Sequence, residues 1–171
     1  MSSLGDCGMT NWDIVTGCER LSPGCDNCPT YWDYAVKGLD YHPAFNRDKL
    51  GVPLEAEERT IYSVAAGSDL FHESIRLEHI MEAFRVMHDT PWHDYQIVTK
   101  RIERMEAMSN RYLYWSENMI AVTTVEESKY KWRIDSLRNI EARKAVSFGP
   151  MTGRIGDVDL SGISQASVVV E

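Results

Sequence analysis

The sequence predicts a single α/β domain built on a parallel sheet, and three of its features do so. Strand-type and helix-type segments alternate from about residue 61 onwards. The strand-type segments are near-continuous apolar runs, the pattern of strands buried on both faces rather than of a half-exposed sheet. No internal repeat, low-complexity tract or Pro/Gly/Ser-rich linker divides the 171 residues, a length that suits one core. Residues 1–171 are therefore read as one domain.

The elements follow in order. A cysteine-bearing loop at residues 17–28 leads into a helical stretch at 31–38, and Pro43, Gly51 and Pro53 punctuate the loop after it. Residues 61–66 (IYSVAA) read as a buried strand, and within 75–88 the residues Ile75, Ile80, Phe84 and Met87 fall close to helical spacing. The pair recurs as a strand at 95–98 before a helix at 101–108, and as a strand at 119–123 before a helix at 127–140. Short strands are expected at 145–148 and 167–170. Strands separated by helices call for right-handed crossovers and a sheet covered by helices. A doubly wound sheet and a partial parallel (β/α)6-type barrel both satisfy that pattern. In either, ligands collect at the carboxyl ends of the strands, so Gly17-Cys18, Gly67-Ser68-Asp69, Thr99-Lys100 and Thr123-Thr124 are expected to converge.

Composition narrows the functional classes. No stretch is apolar for long enough to span a bilayer, and the N-terminal MSSLGDCGMTNWD lacks the basic and apolar regions of a signal peptide, so a soluble, cytoplasmic protein without membrane contact is expected. With 26 acidic against 18 basic side chains the net charge is −8, which repels phosphate backbones and argues against bulk nucleic-acid binding. Lys100, Arg101, Arg104 and Arg111 form the densest basic group, with Glu103 and Glu106 interleaved, and read as a solvated helix face.

Three of the four cysteines crowd into eleven residues while Cys7 stands apart, which is not the spread of a secreted disulfide framework. Six residues separate Cys18 from Cys25 and two separate Cys25 from Cys28, with Gly17, Pro23 and Gly24 supplying turns that let the loop wrap a metal. Three thiolates leave one coordination position open. Zinc in a closed structural site takes four ligands and would recruit Cys7, His42 or another side chain. An iron–sulfur cluster on three cysteines keeps one iron free for a small molecule. The spacing points to a metal and leaves open which one.

The run from Asn11 to Cys18 (NWDIVTGC), followed by Ser22-Pro23-Gly24-Cys25-Asp26-Asn27-Cys28, resembles the opening motif of a bacteriophage and prophage protein family that is itself similar to the radical S-adenosylmethionine superfamily, in particular its spore photoproduct lyase branch. Ser68-Asp69-Leu70-Phe71-His72-Glu73, Val98-Thr99-Lys100-Arg101 with the residues after it, and Thr123-Thr124-Val125-Glu126 agree in order. The resemblance implies a radical S-adenosylmethionine-like partial barrel in which Cys18, Cys25 and Cys28 hold a 4Fe-4S cluster. It also implies that S-adenosyl-L-methionine chelates the open iron and yields a 5′-deoxyadenosyl radical. By position, Ser68, Asp69, Thr99 and Thr124 would bind the cofactor, and Lys100, Glu126 and His72 are the catalytic candidates. The pattern departs from its relatives at Pro29, where they carry an aromatic residue, and at Gly149. It is also expected to be shortened at the C-terminus, since relatives continue past Glu171.

The resemblance implies an enzyme acting on a nucleotide, nucleic acid or small metabolite. The rival reading is a non-catalytic acidic phage protein that binds and modulates a host protein in the host cytoplasm, its cysteine loop structural. His72 and Glu73 follow a strand exit, placed either for acid–base chemistry or for capping the next helix. His42, His79, His88 and His93 show no ligand spacing and read as surface residues. Tyr112, Tyr114 and Trp115 read as packing, and Met81, Met87, Met105 and Met108 as core.

Overall fold

A computed structural model describes residues 9–168. In chain order its strands are β1 (Met9–Trp12), β2 (Val15–Thr16), β3 (Ala44–Phe45), β4 (Ile61–Val64), β5 (Asp94–Thr99), β6 (Met119–Val125), β7 (Arg143–Phe148) and β8 (Gln165–Val168). The α-helices are α1 (Pro29–Lys37), α2 (Val52–Glu55), α3 (Leu77–Asp89), α4 (Ile102–Ser109) and α5 (Trp132–Arg138). Six strands make one sheet in the order β1-β4-β5-β6-β7-β8, every neighbouring pair parallel. The expected α/β class with a parallel sheet is therefore what the chain forms. The strand order follows the chain without a reversal, so the sheet lacks the switch point that defines a doubly wound fold.

The strand pattern has a direct cause. All seven residues of β6 are buried, as the central position of an apolar run requires, whereas β5 buries only Tyr95, Ile97 and Thr99 on alternate positions. Trp12, Tyr62 and Tyr95 pack as a ring cluster under β1, β4 and β5, with the Trp12 ring 5.7 Å from Tyr95 and Tyr62 5.5 Å from Tyr95. The helix α3 lays Ile80, Ala83, Phe84 and Met87 onto that core at helical spacing.

Several expectations need correction. A strand ending at Gly17-Cys18 is implied by the expected convergence, but the chain there divides into β1 in the sheet and β2 in an antiparallel β2–β3 ribbon, a division that these few residues, without apolar periodicity, do not signal. The expected helix at 127–140 is a 3₁₀ turn at Ser128–Tyr130 followed by the short α5: Glu127 is extended, and the Ser128 N–H donates to the Arg154 carbonyl instead of starting a long helix. The last strand begins at Gln165, and residues 169–170 of the expected one lie outside the described residues. His93 is no surface residue. It is fully buried, accepts the Thr60 N–H on Nδ1 at 3.1 Å and lies 3.0 Å from the Pro53 carbonyl through Nε2. Met81 is 42% exposed on the outer face of α3, and Tyr112 and Tyr114 stand in solvent while Trp115 packs edge-on to Phe84. Among the described residues no helix is long and apolar enough to cross a membrane.

Because the sheet is parallel, the carboxyl ends of its strands share one edge, and the β2–β3 ribbon folds the cysteine loop onto that edge. Gly17 sits at the crossing with φ +73°, and a Cβ there would stand 2.2 Å from the His42 carbonyl oxygen and 2.6 Å from that of Tyr41. Gly38, the left-handed cap of α1, has φ +63° but open space around it. Gly17→Ala is therefore expected to cost roughly 2–4 kcal/mol and Gly38→Ala only about 1 kcal/mol, both read by urea unfolding. Equal costs would show that the loop crossing is not tightly packed.

Candidate metal centre

A cavity of about 260 Å³ opens at the carboxyl edge of the sheet. The cysteine loop forms one wall, Tyr31 and Tyr41 another, and the exits of β4, β5, β6 and β7 form the floor with Gly67, Asp69, Lys100, Thr124 and Pro150. The expected convergence is thus realised by Cys18, Gly67-Ser68-Asp69, Thr99-Lys100 and Thr124, which all line the cavity, and the exit of β7 joins them, with Thr123 tucked behind. Its hydroxyl is fully buried and donates to the Thr99 carbonyl at 3.0 Å.

Cys18, Cys25 and Cys28 all line this cavity as partly buried free thiols. Local turns place them. The Pro23–Asn27 3₁₀ turn presents Cys25, and Cys28 is the N-cap residue of α1, which opens at Pro29. Gly24 lies so close to β6 that a Cβ would stand 2.6 Å from Glu126 Oε1, so the loop can descend onto the floor only with glycine there. Among the described residues, no three His, Cys, Asp or Glu side chains are gathered for a single metal ion.

Each sulfur has its own neighbour. The Lys100 ammonium is 3.4 Å from Cys25 Sγ, with the Leu21 N–H at 3.5 Å and the Ser22 hydroxyl at 3.6 Å. The Arg101 guanidinium reaches Cys18 Sγ at 3.8 Å. The Tyr41 side chain lies beside Cys28, and its hydroxyl donates to the Gly67 carbonyl at 2.8 Å. The two flanking environments differ. Burial, and after it the nearby Asp69 charge, pushes the Cys18 thiol up to about 11. Burial also opposes ionisation of Cys25, but the Leu21 N–H, the Lys100 charge and Ser22 outweigh it and the thiol lies below its ordinary value.

Beneath the loop, Glu126 is fully buried. Its Oε1 pairs with Lys100 and accepts the Ser22 hydroxyl at 2.7 Å. Its Oε2 has no hydrogen-bond partner and faces the Arg133 guanidinium at 3.8 Å. Arg133, 2% exposed, donates to the Thr124 carbonyl at 2.9 Å and stacks on Tyr130. On the other side Arg101 bridges Asp69 at 3.1 Å and Glu73 at 2.7 Å. Arg104 grips the carbonyl oxygens of Phe71, His72 and Ile75, holding the loop after β4 in place.

The basic group read as a solvated face is thus mostly an inward-facing set of anchors. Lys100, Arg101 and Arg104 are committed to the cavity floor, and Arg111 alone is exposed. Of the residues assigned to a cofactor, Ser68 donates to the Val15 carbonyl at 2.6 Å, and Thr99 donates to Asp69 at 2.7 Å. Asp69 also accepts the Phe71 N–H at 2.9 Å, so these three hold the floor together. Only the Thr124 hydroxyl has no partner. Ser22 stands in the quoted cysteine motif but without an assigned role, whereas Tyr41 and Arg133 were missed, and nothing in the local sequence marks them, since each reaches the site from a separate element.

His72 lies at the cavity's flank, 1% exposed. Its Nδ1 accepts the Ser74 N–H at 3.1 Å, so its proton sits on Nε2, which faces Glu19 at 3.7 Å and Glu73 at 3.9 Å without a hydrogen bond.

The fold and this cavity define an α/β protein of sequential parallel sheet with a three-cysteine pocket at its strand ends. Over residues 7–170 the chain matches a family described as protein of unknown function, DUF5131, and it belongs to that family. No curated protein and no solved structure matches it.

Burial, with the Arg101 charge added, holds the His72 pKa below its ordinary value. A depressed histidine contributes stability above its unfolded pKa of about 6.5 and loses it as pH falls through the folded value. Unfolding free energy is therefore expected to fall as the pH drops below about 6.5, and to fall less in His72→Gln. Parallel pH profiles for the two proteins would show that His72 is not the group responsible.

Proposed function

We propose that this protein is a radical S-adenosylmethionine-like iron–sulfur protein that acts on a nucleotide, nucleic acid or small metabolite. The observation that carries the reading is the arrangement of three free cysteines around one cavity at the carboxyl edge of a parallel sheet, two of them against buried cations. A sequential parallel order, strand following strand, supports a partial (β/α)6-type barrel, whose ligands sit at this edge.

The residues fit such a centre. Three free thiols lining one cavity supply the three thiolates on which a cluster leaves one iron open for a small molecule. Lys100, Glu126 and Arg133 together carry one excess positive charge in a buried setting, and an unbalanced buried charge is costly unless an anion meets it. The Cys25 thiolate is placed to be that anion.

On this reading Cys18, Cys25 and Cys28 would hold a 4Fe-4S cluster, with S-adenosyl-L-methionine beside the Thr124 hydroxyl. When bound, the pair supplies reductive cleavage of the sulfonium. The chain's own residues do the rest. Leu21, Pro29, Val98 and Pro150 give the cavity apolar wall that limits water, and Arg101 keeps the Asp69 loop in register with Cys18. Lys100 and Glu126 act as positioning groups, since the ammonium is shared among Glu126, Ser22 and Cys25. Neither is free to shuttle protons to a substrate.

One observation favours a second reading. No residue of α1 is buried, and Trp32, Val36 and Leu39 are 54%, 85% and 55% exposed beside the cysteine loop, as in a protein that docks on a partner. That protein would bind and modulate a host protein without catalysis, and its binding would survive replacement of all three cysteines.

Anaerobic reconstitution with iron and sulfide is expected to give a brown protein with about four irons per chain that forms 5′-deoxyadenosine from S-adenosylmethionine and dithionite. Cys25→Ala should be colourless, and Cys7→Ser should match the parent. A colourless parent with stoichiometric zinc would overturn the proposal.

A further inference from the structure

Three charged side chains lie in a row behind Cys25: the Lys100 ammonium, the Glu126 carboxylate and the Arg133 guanidinium. Their side chains are 18%, 0% and 2% exposed, so water screens them weakly. Arg133 touches no sulfur and stands one step further back, 3.8 Å from the Glu126 carboxylate that pairs with Lys100 beside Cys25. Two cations and one carboxylate leave this end of the cavity one charge positive. The other end is different. Arg101, 3.8 Å from Cys18 Sγ, is balanced by the buried Asp69, and the mostly exposed Glu73 adds negative charge that solvent partly screens. Cys18 thus faces a neutral to negative set and Cys25 a positive one. The charge beside Cys25 therefore differs in sign from that beside Cys18.

We infer that the Lys100–Glu126–Arg133 row is the device that sets the reduction potential of a cluster held by the three cysteines. These three are positioning residues that act through the charge they place behind Cys25, without touching a substrate. The inference rests on the iron–sulfur reading above. Its physical basis is simple: accepting one electron makes a cluster more negative, so a nearby positive charge favours the reduced form and a nearby carboxylate opposes it. The chain balances the two in a region where each counts strongly. Glu126 also restrains the effect of Lys100, which lies between it and the sulfur.

The row makes a signed prediction that damage to packing would not reproduce. In reconstituted protein titrated anaerobically with dithionite as the one-electron donor, and followed by the loss of cluster absorbance, Lys100→Met and Arg133→Met are expected to shift the midpoint to more negative potential. Glu126→Gln, close to isosteric, is expected to shift it the opposite way. Lys100→Arg and Arg133→Lys keep the charge and should stay near the parent value, which controls for lost packing. Shifts of Lys100→Met and Glu126→Gln in the same direction, or no shift in either with the cluster intact, would overturn the inference and leave the iron–sulfur assignment standing. A parent that assembles no cluster would instead remove that assignment, and this inference with it.

Discussion

The buried pairing of Lys100 with Glu126 ties together the parts of this molecule that make its cavity. Lys100 follows the end of β5, Glu126 follows the end of β6, and the Ser22 hydroxyl donates to the same carboxylate from the cysteine loop. Without that junction the loop has few other reasons to lie on the strand ends, since Cys18, Cys25 and Cys28 are all partly exposed and no residue of α1 is buried. The close approach at Gly24 has the same origin, for any side chain there would displace the carboxylate on which the loop rests.

Buried ion pairs rarely add net stability, because desolvation offsets their attraction. Breaking one is another matter, since it strands a charge. The cavity floor is built from charges held in two groups, Lys100 with Glu126 and Arg133, which keeps one positive charge in excess, and Arg101 with Asp69 and Glu73. Such an arrangement is better at fixing geometry and local potential than at adding to folding free energy. Hydrophobic burial does the latter, through the Trp12, Tyr62 and Tyr95 cluster and the apolar face of α3. The division of labour explains why the polar face of the sheet's edge can be specialised while its interior stays an ordinary core.

Topology then converts this local chemistry into a site. Parallel strands in sequential order deliver every strand exit to one edge, so short polar segments far apart in the chain become neighbours. The antiparallel β2–β3 ribbon adds what the sheet alone lacks, a strap that carries Tyr41 over Gly17 and sets it against Cys28 and the Gly67 carbonyl. The cavity is thus enclosed from two sides by segments with almost no regular structure of their own.

The sequence by itself determined the class and the alternation of strand and helix from residue 61 onwards, because apolar runs such as 119–123 and the spacing of Ile80, Phe84 and Met87 are local signals that burial must respect. It also determined that three cysteines lie within one short, turn-rich loop. What only the tertiary structure decided was which polar groups meet. Lys100, Arg101 and Arg104 look like a surface charge run because sequence periodicity carries no sign of the carboxylates and carbonyls, at Asp69, Phe71, Ile75 and Glu126, that draw them inward. Tyr41 and Arg133 left no local trace for the same reason. Periodicity records which face of a segment avoids water, whereas a charged or hydroxyl side chain becomes part of a site only through partners that the fold brings from elsewhere in the chain.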